Sequence, residues 1–201
     1  RTVGGRTFNV DGSYDYGSAS PIIYLELKGV DANLLSLISI IPKGNLGMLA
    51  DYKADGNVTF NANIKGIITA GSSPAITINF STANSQLTPP YGNVTLKSIS
   101  FNGFYTNRKN ASGGIGLLQV KNMQADMDGK KVMADFEIEN NDKPFVNLLL
   151  RGDFDLNKLS EFYQPDTLQR IDGQLKIDAS FKGRVGDEIT SSSQGTAQFQ
   201  N

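Results

Sequence analysis

Polar and apolar residues alternate with a period of two along most of this chain. In residues 57–65, Val58, Phe60, Ala62 and Ile64 share one face, while Asn57, Thr59, Asn61 and Asn63 share the other. Residues 174–181 repeat the arrangement, with Leu175, Ile177, Ala179 and Phe181 opposite Gln174, Lys176, Asp178 and Ser180. Such a period means extended strands with one apolar face. The same signature predicts strands at 75–81, 93–101, 115–121, 131–139 and 145–151. Turn-forming stretches separate them: Ser72-Ser73-Pro74, Pro89-Pro90-Tyr91-Gly92, Asn107 to Gly114, Asp128-Gly129 and Asn140 to Pro144. Most of these connections are short, which predicts antiparallel pairing. Residues 1–29 add hairpin signals around the turn from Gly17 to Pro21.

Two stretches depart from the alternation. Leu34, Leu35, Leu37, Ile38 and Ile41 fall at helical spacing behind Asp31, and Pro42 with Gly44 stops the run. Asp155 opens a second stretch through Leu156, Leu159, Phe162 and Tyr163, ending before Pro165. Two short helices are therefore expected, each led by an aspartate able to cap it.

These elements recur in the same order. Residues 54–66 return as 171–183, identical at Asp55/Asp172, Gly56/Gly173, Ala62/Ala179, Lys65/Lys182 and Gly66/Gly183. Each copy follows a strand ending in a basic residue and glycine (Leu25 to Gly29; Leu148 to Gly152) and then the helical stretch. Repeat-like units at about 22–66 and 145–183 are the mark of an array. The expected fold is all-β: a long, curved, mainly antiparallel sheet, either an open groove or a half-barrel, with two short helices. Residues 1–201 read as one continuous β region and as a piece of a longer protein, since the first residue is Arg1 and the last ones alternate as a strand does.

Composition narrows the function. Lys and Arg total 19 against 20 Asp and Glu, and the scattered charges form no stripe along which a phosphate backbone could lie. Nucleic-acid binding is not expected. Histidine and cysteine are both absent, removing the commonest general base and the thiolate and imidazole metal ligands. No catalytic role, metal or cofactor is expected. Asp126-Met127-Asp128-Gly129 lacks the distal Glu of a calcium loop and reads as a hairpin turn. Gly113 to Gly116 lacks dinucleotide-loop spacing, and the acidic pairs Asp51/Asp55 and Glu137/Glu139 suit a solvated strand face better than a glycosidase dyad. The longest apolar stretch, Leu34 to Ile41, is too short to span a bilayer.

The strand closed by Lys/Arg-Gly, the Asp-led Leu-spaced helix and the Asp-Gly strand ending in Lys-Gly resemble the C-terminal part of AsmA-family envelope proteins, relatives of TamB. The clearest stretches are Leu148 to Gly183 and, more loosely, Leu25 to Gly66. The resemblance implies a periplasmic β-groove in a parent anchored in the inner membrane of a Gram-negative cell. It also implies lipid binding or conduction that supports outer-membrane phospholipid transport and biogenesis. Phospholipid acyl chains would then lie along the apolar face, with Val58, Phe60, Ile64, Leu175, Ile177 and Phe181 as candidate wall residues. Smooth aliphatic and aromatic walls suffice for such a ligand, at about 0.8 kcal/mol per buried methylene. The same alternation is compatible with the core of a closed β-sandwich. A second functional reading is an adhesion or glycan-binding module, for which Tyr14, Tyr16, Tyr91 and Tyr105 are the available aromatics.

Overall fold

A computed structural model describes residues 2–3, 6–15, 17, 20–33, 52–69, 73–90, 94–109, 115–139, 144–162, 172–184 and 191–200. Within them the chain is almost entirely antiparallel sheet. The strands are β1 (Thr2–Val3), β2 (Arg6–Asp15), β3 (Ile22–Asn33), β4 (Lys53–Asp55), β5 (Asn57–Ile67) and β6 (Ala75–Thr88). They continue as β7 (Leu96–Lys109), β8 (Ile115–Met127), β9 (Lys130–Glu139) and β10 (Phe145–Asp155). Helix α1 (Leu156–Phe162) precedes β11 (Gln174–Arg184) and β12 (Ser191–Gln200).

Neighbours in sequence are neighbours in the sheet. The order is β1-β2-β3-β5-β6-β7-β8-β9-β10-β11-β12, with β4 pairing β6 beyond the end of β5. Of the two forms expected, the sheet takes the open one, with β1 and β12 at opposite ends of the order and no curling into a half-barrel. At about 4.8 Å per strand it is about 50 Å wide. Substantial contacts among the described elements follow the sheet order, with α1 against β10 as the addition. No second sheet packs on this one among the described residues.

Register keeps the apolar positions on one side. Phe60, Phe80, Gly103, Val120, Phe136, Leu148 and Phe181 are successive direct partners from β5 to β11. Leu27, Ala62, Ile78, Tyr105, Leu118, Ile138 and Val146 form a parallel row from β3 to β10. Directly opposed residues share a face, so Phe60 and Phe181 do. Ile177, four residues from Phe181 on the same strand, joins them.

The two repeat units match in register as well as in sequence. Leu25 opposes Ile64, Leu27 opposes Ala62 and Gly29 opposes Phe60. In the second unit Leu148 opposes Phe181, Leu150 opposes Ala179 and Gly152 opposes Ile177. Gly56 and Gly173, at equivalent places before the two strands, have φ of 126° and 124°. At Gly56 the need for glycine is also steric, since a Cβ there would lie 2.6 Å from the Ser85 Cα.

Several strands run longer than their alternation suggests, because bulges shift the phase. One extra residue enters β3 at Asp31, β6 at Asn84, β7 at Ser98 and β8 at Asn122. All four have positive φ, between 51° and 62°. A single left-handed residue takes up the extra length, and the apolar residues beyond it return to the same face. Thus Thr82 is followed by Ser85 and Leu87, and Val120 by Met123, Ala125 and Met127, as consecutive residues of that face. The N–H of Asn122 is taken up by Asp135 Oδ1 at 2.5 Å. Expected strands 75–81, 93–101 and 115–121 therefore become 75–88, 96–109 and 115–127, and the expected loop from Asn107 begins inside β7.

Of the two expected helices, the second is α1. Asp155 Oδ1 accepts hydrogen bonds from the Asn157 and Lys158 N–H groups at 3.0 and 3.4 Å, satisfying donors of the first turn. The first expected helix differs at its start: Asp31 is the β3 bulge rather than a cap, and Asp31 to Asn33 are strand. The remainder, from Leu34 to Ile41, lies outside the described residues.

Candidate functional site

The apolar face divides into two packed clusters and a half-buried strip. Ala32, Val58, Phe60, Ala62, Ile78, Phe80 and Tyr105 pack in one cluster, and Leu96, Ile99, Ala125, Val132, Phe154 and Leu175 in the other. Leu87 and Phe101 touch both, so the apolar surface is continuous from β3 to β11. Leu156 and Leu159 of α1 pack against the second cluster and cover that end of the face. One polar pair interrupts it at the Asn84 bulge. There Thr82 Oγ1 bonds the Ser85 hydroxyl and donates to the Asn57 carbonyl at 2.7 Å, so the hydroxyls are satisfied despite burial.

The six candidate wall residues fall on this one face but are not equally accessible. Val58 is fully buried and Phe60 and Leu175 are 8% and 9% exposed, whereas Ile64, Ile177 and Phe181 are half-buried. The register adds residues that alternation alone did not single out. Leu118, Phe136, Ile138, Val146 and Leu148 are half-buried and lie side by side on β8, β9 and β10, next to Phe181 on β11. Their signal in the sequence was their alternation, which was present but could not say which strands would be neighbours. At the far edge Phe199, the direct partner of Leu175, is 69% exposed.

Three rings lie over glycines on this face. A Cβ at Gly29 would meet the Phe60 ring at 2.4 Å, one at Gly103 would meet Phe80 at 2.2 Å, and one at Gly152 would meet Phe154 at 3.0 Å. The missing side chains make room for the rings, which at Gly29 and Gly103 come from the neighbouring strand and at Gly152 from two residues along β10 itself. Phe80 also meets Phe101 edge to face, with centroids 6.0 Å apart and an interplanar angle of 86°.

The opposite face is polar and carries a hollow along the line of bulges. One part, of about 440 Å³, is lined by side chains including Lys28, Thr59, Asn61, Asn79, Ser81 and Asn102. The adjoining part, of about 480 Å³, shares Thr59, Ser81 and Asn102 and adds Asp31, Asn57, Ser100 and Asn122. Lys28 Nζ lies 2.9 Å from Glu26 Oε1. That hydrogen bond, and then the carboxylate's charge, raise the Lys28 pKa. Asn61 Oδ1 is buried and has no hydrogen-bond partner, alone in this among the described side-chain atoms. An orphaned buried acceptor costs about 1–3 kcal/mol.

Features weighed for other chemistry have structural places. Asp128 and Gly129, with φ of 55° and 81°, form the two-residue turn of the β8–β9 hairpin, and Asp126 Oδ1 accepts the Gly129 N–H at 2.8 Å. Glu137 accepts a hydrogen bond from Gln119 on the neighbouring strand. Asp51 lies outside the described residues, as do Gly113 and Gly114. Among the described residues no group of three or more acidic side chains could hold a metal ion. No helix there is long and apolar enough to cross a membrane.

Two of the four tyrosines named for an adhesion surface, Tyr14 and Tyr105, lie among the described residues. Tyr105 is 7% exposed within the first apolar cluster, Tyr14 lies near the β2 edge on the apolar side, and Tyr16 and Tyr91 are outside the described residues. Comparison with protein-family models, curated proteins and solved structures finds no match to this chain.

Proposed function

We propose that this chain is a non-enzymatic lipid-binding segment whose apolar sheet face receives phospholipid acyl chains. The observation that carries the reading is the apolar face of a single open sheet, continuous from β3 to β11 but for the Thr82–Ser85 pair, on which no second sheet packs among the described residues. A face of this kind attracts an apolar partner by area alone and needs no directional contact. The resemblance to AsmA-family proteins supplies the wider setting: a periplasmic segment of an inner-membrane-anchored parent, serving outer-membrane phospholipid transport and biogenesis.

Exposure refines where the tails lie. The half-buried strip from Leu118 on β8 through Ile138 and Val146, with Leu148 and Phe181 beside it, spans three strand spacings, about 15 Å. That is the reach of one acyl chain, about half of a 30 Å hydrocarbon core. Of the six candidates, Ile64, Ile177 and Phe181 are accessible enough to touch a tail, while Val58, Phe60 and Leu175 are packed within the protein. A tail resting on one face loses about half of its water contact, so a dozen methylenes contribute about 5 kcal/mol. This corresponds to weak, rapidly exchanging binding, suited to passage more than storage.

Native mass spectrometry of protein incubated with phosphatidylethanolamine and phosphatidylglycerol vesicles tests the reading. Phospholipid adducts are expected, lost in Phe181→Lys and kept in Lys176→Thr on the polar face. Absence of adducts, or equal loss in both variants, overturns it.

A further inference from the structure

We infer that the hollow on the polar face is a second ligand site, for a neutral polyhydroxylated molecule of the glycan class. It lies on the side of the sheet away from the apolar face and stands or falls independently of lipid binding. Thr59, Asn61, Asn79, Ser81 and Asn102 alternate with the apolar residues of β5, β6 and β7, and the register stacks them into two adjoining rows. Asn61 opposes Asn79, and Thr59 opposes Ser81, which opposes Asn102. The bulges at Asp31 and Asn122 border the second part of the hollow, and bulges re-aim side chains where they occur.

The chemistry of the lining selects the ligand. Its amides and hydroxyls, which sit beside the exposed Val30 side chain, each donate and accept, as the hydroxyls of a sugar require. The two parts, about 440 and 480 Å³, are each in the size range of small-molecule sites. The ionised groups at its rim are Lys28, whose charge is met by Glu26, and Asp31. An anionic ligand would give up hydration there without finding a free cation, since Lys28 is paired and Asp31 repels it. Half-buried Phe104, the direct partner of Asn79 on this face, supplies an apolar surface beside the hollow for the C–H face of a sugar ring.

Asn61 gives the strongest pointer. Its Oδ1 has no partner in the protein, although its residue lines the hollow. Asn61 sits mid-strand, where a β-branched apolar residue would fit the sheet better. The terminal torsion of an asparagine is broad, so a small turn of the amide presents the acceptor to a ligand hydroxyl. The orphan is then satisfied only in the complex.

The test is titration of isotopically labelled protein with maltohexaose, cellohexaose and chitohexaose, followed by the backbone and side-chain amide resonances. At least one is expected to shift the Asn61, Asn79 and Asn102 side-chain amides. A charged oligogalacturonate is expected to leave them unmoved. Asn61→Val removes the orphan, so it should raise the thermal midpoint of the free protein while weakening binding about tenfold. Lys176→Thr, on the polar face outside the hollow, should leave binding unchanged. The inference is overturned if none of the three neutral oligosaccharides shifts these amides. It is equally overturned if the charged oligomer binds as well, or if Asn61→Val binds as tightly as the parent.

Discussion

Gly103→Ala probes how the apolar face is built. A methyl at Gly103 would stand 2.2, 2.3 and 2.7 Å from three atoms of the Phe80 ring, where carbon contacts are comfortable at about 3.5–4.0 Å. The ring must retreat by about 1 Å or more. It has little room to do so, since Phe80 is 8% exposed and meets Phe101 edge to face at 6.0 Å. Overpacking of this kind costs about 1–3 kcal/mol, and disturbing the aromatic pair adds up to about 1 kcal/mol. Against this, alanine restricts the unfolded chain and returns about 0.4–1 kcal/mol. The net expectation is destabilisation of about 2 kcal/mol, read as a shift of the urea midpoint without a change in slope. Because the cause is one ring, the cost should fall by at least half in a Phe80→Leu background, a coupling that a double-mutant cycle measures. A Gly103→Ala effect below about 0.5 kcal/mol, or one that is the same in both backgrounds, would refute the claim that this glycine exists to seat the Phe80 ring.

Asn84 holds the β6 bulge at a φ of 62°; Asn84→Val is expected to cost about 1–2 kcal/mol and Asn84→Gly to stay within about 0.5 kcal/mol, by chemical denaturation. Equal effects of the two would remove the backbone explanation. The Lys28 pKa is raised by its hydrogen bond to Glu26 and then by that carboxylate's charge, so Glu26→Gln should move the Lys28 side-chain titration down, as followed by NMR. A folded-state value above the unfolded one means that any stabilisation is present below the unfolded pKa and fades as pH rises through the folded pKa. At this exposed site the effect on stability is small, and an unchanged titration in Glu26→Gln would show that the pair does not persist in solution.

Alternation made the sheet legible from the sequence because each strand has one polar and one apolar face, and the Asp-Gly and Pro-containing turns between strands are strong local signals. The repeat named Leu25 to Gly29 and Leu148 to Gly152 as equivalent strands; that each pairs with the repeated Asp-Gly strand in the same register is visible only in the structure. The bulges were not legible. Asn84, Ser98 and Asn122 insert one residue each, so the period breaks in mid-strand and reads as a strand end. Asp31 misled in the same way, since an aspartate before a leucine-rich stretch suits a cap, whereas its left-handed backbone serves a bulge. Of the candidate wall, the shared face of Val58, Phe60, Ile64, Leu175, Ile177 and Phe181 followed from parity within strands. The burial of Leu175 depends on α1, whose Leu156 and Leu159 pack on its cluster, and no single stretch of sequence encodes that. The polar hollow was hidden for the same reason: its asparagines come from four strands and meet only through register.

The most direct measurement of the central claim is photo-crosslinking of phospholipid in cells, with a photoreactive residue at Ile177 or Phe181 on the apolar face and at Lys176 or Lys182 on the polar face. These positions lie on a single strand, so expression and local mobility are matched while only the face differs. Crosslinked lipid is predicted from Ile177 and Phe181 and not from Lys176 and Lys182. Equal crosslinking from both faces, or none from the apolar one, would contradict the assignment of that face to acyl chains.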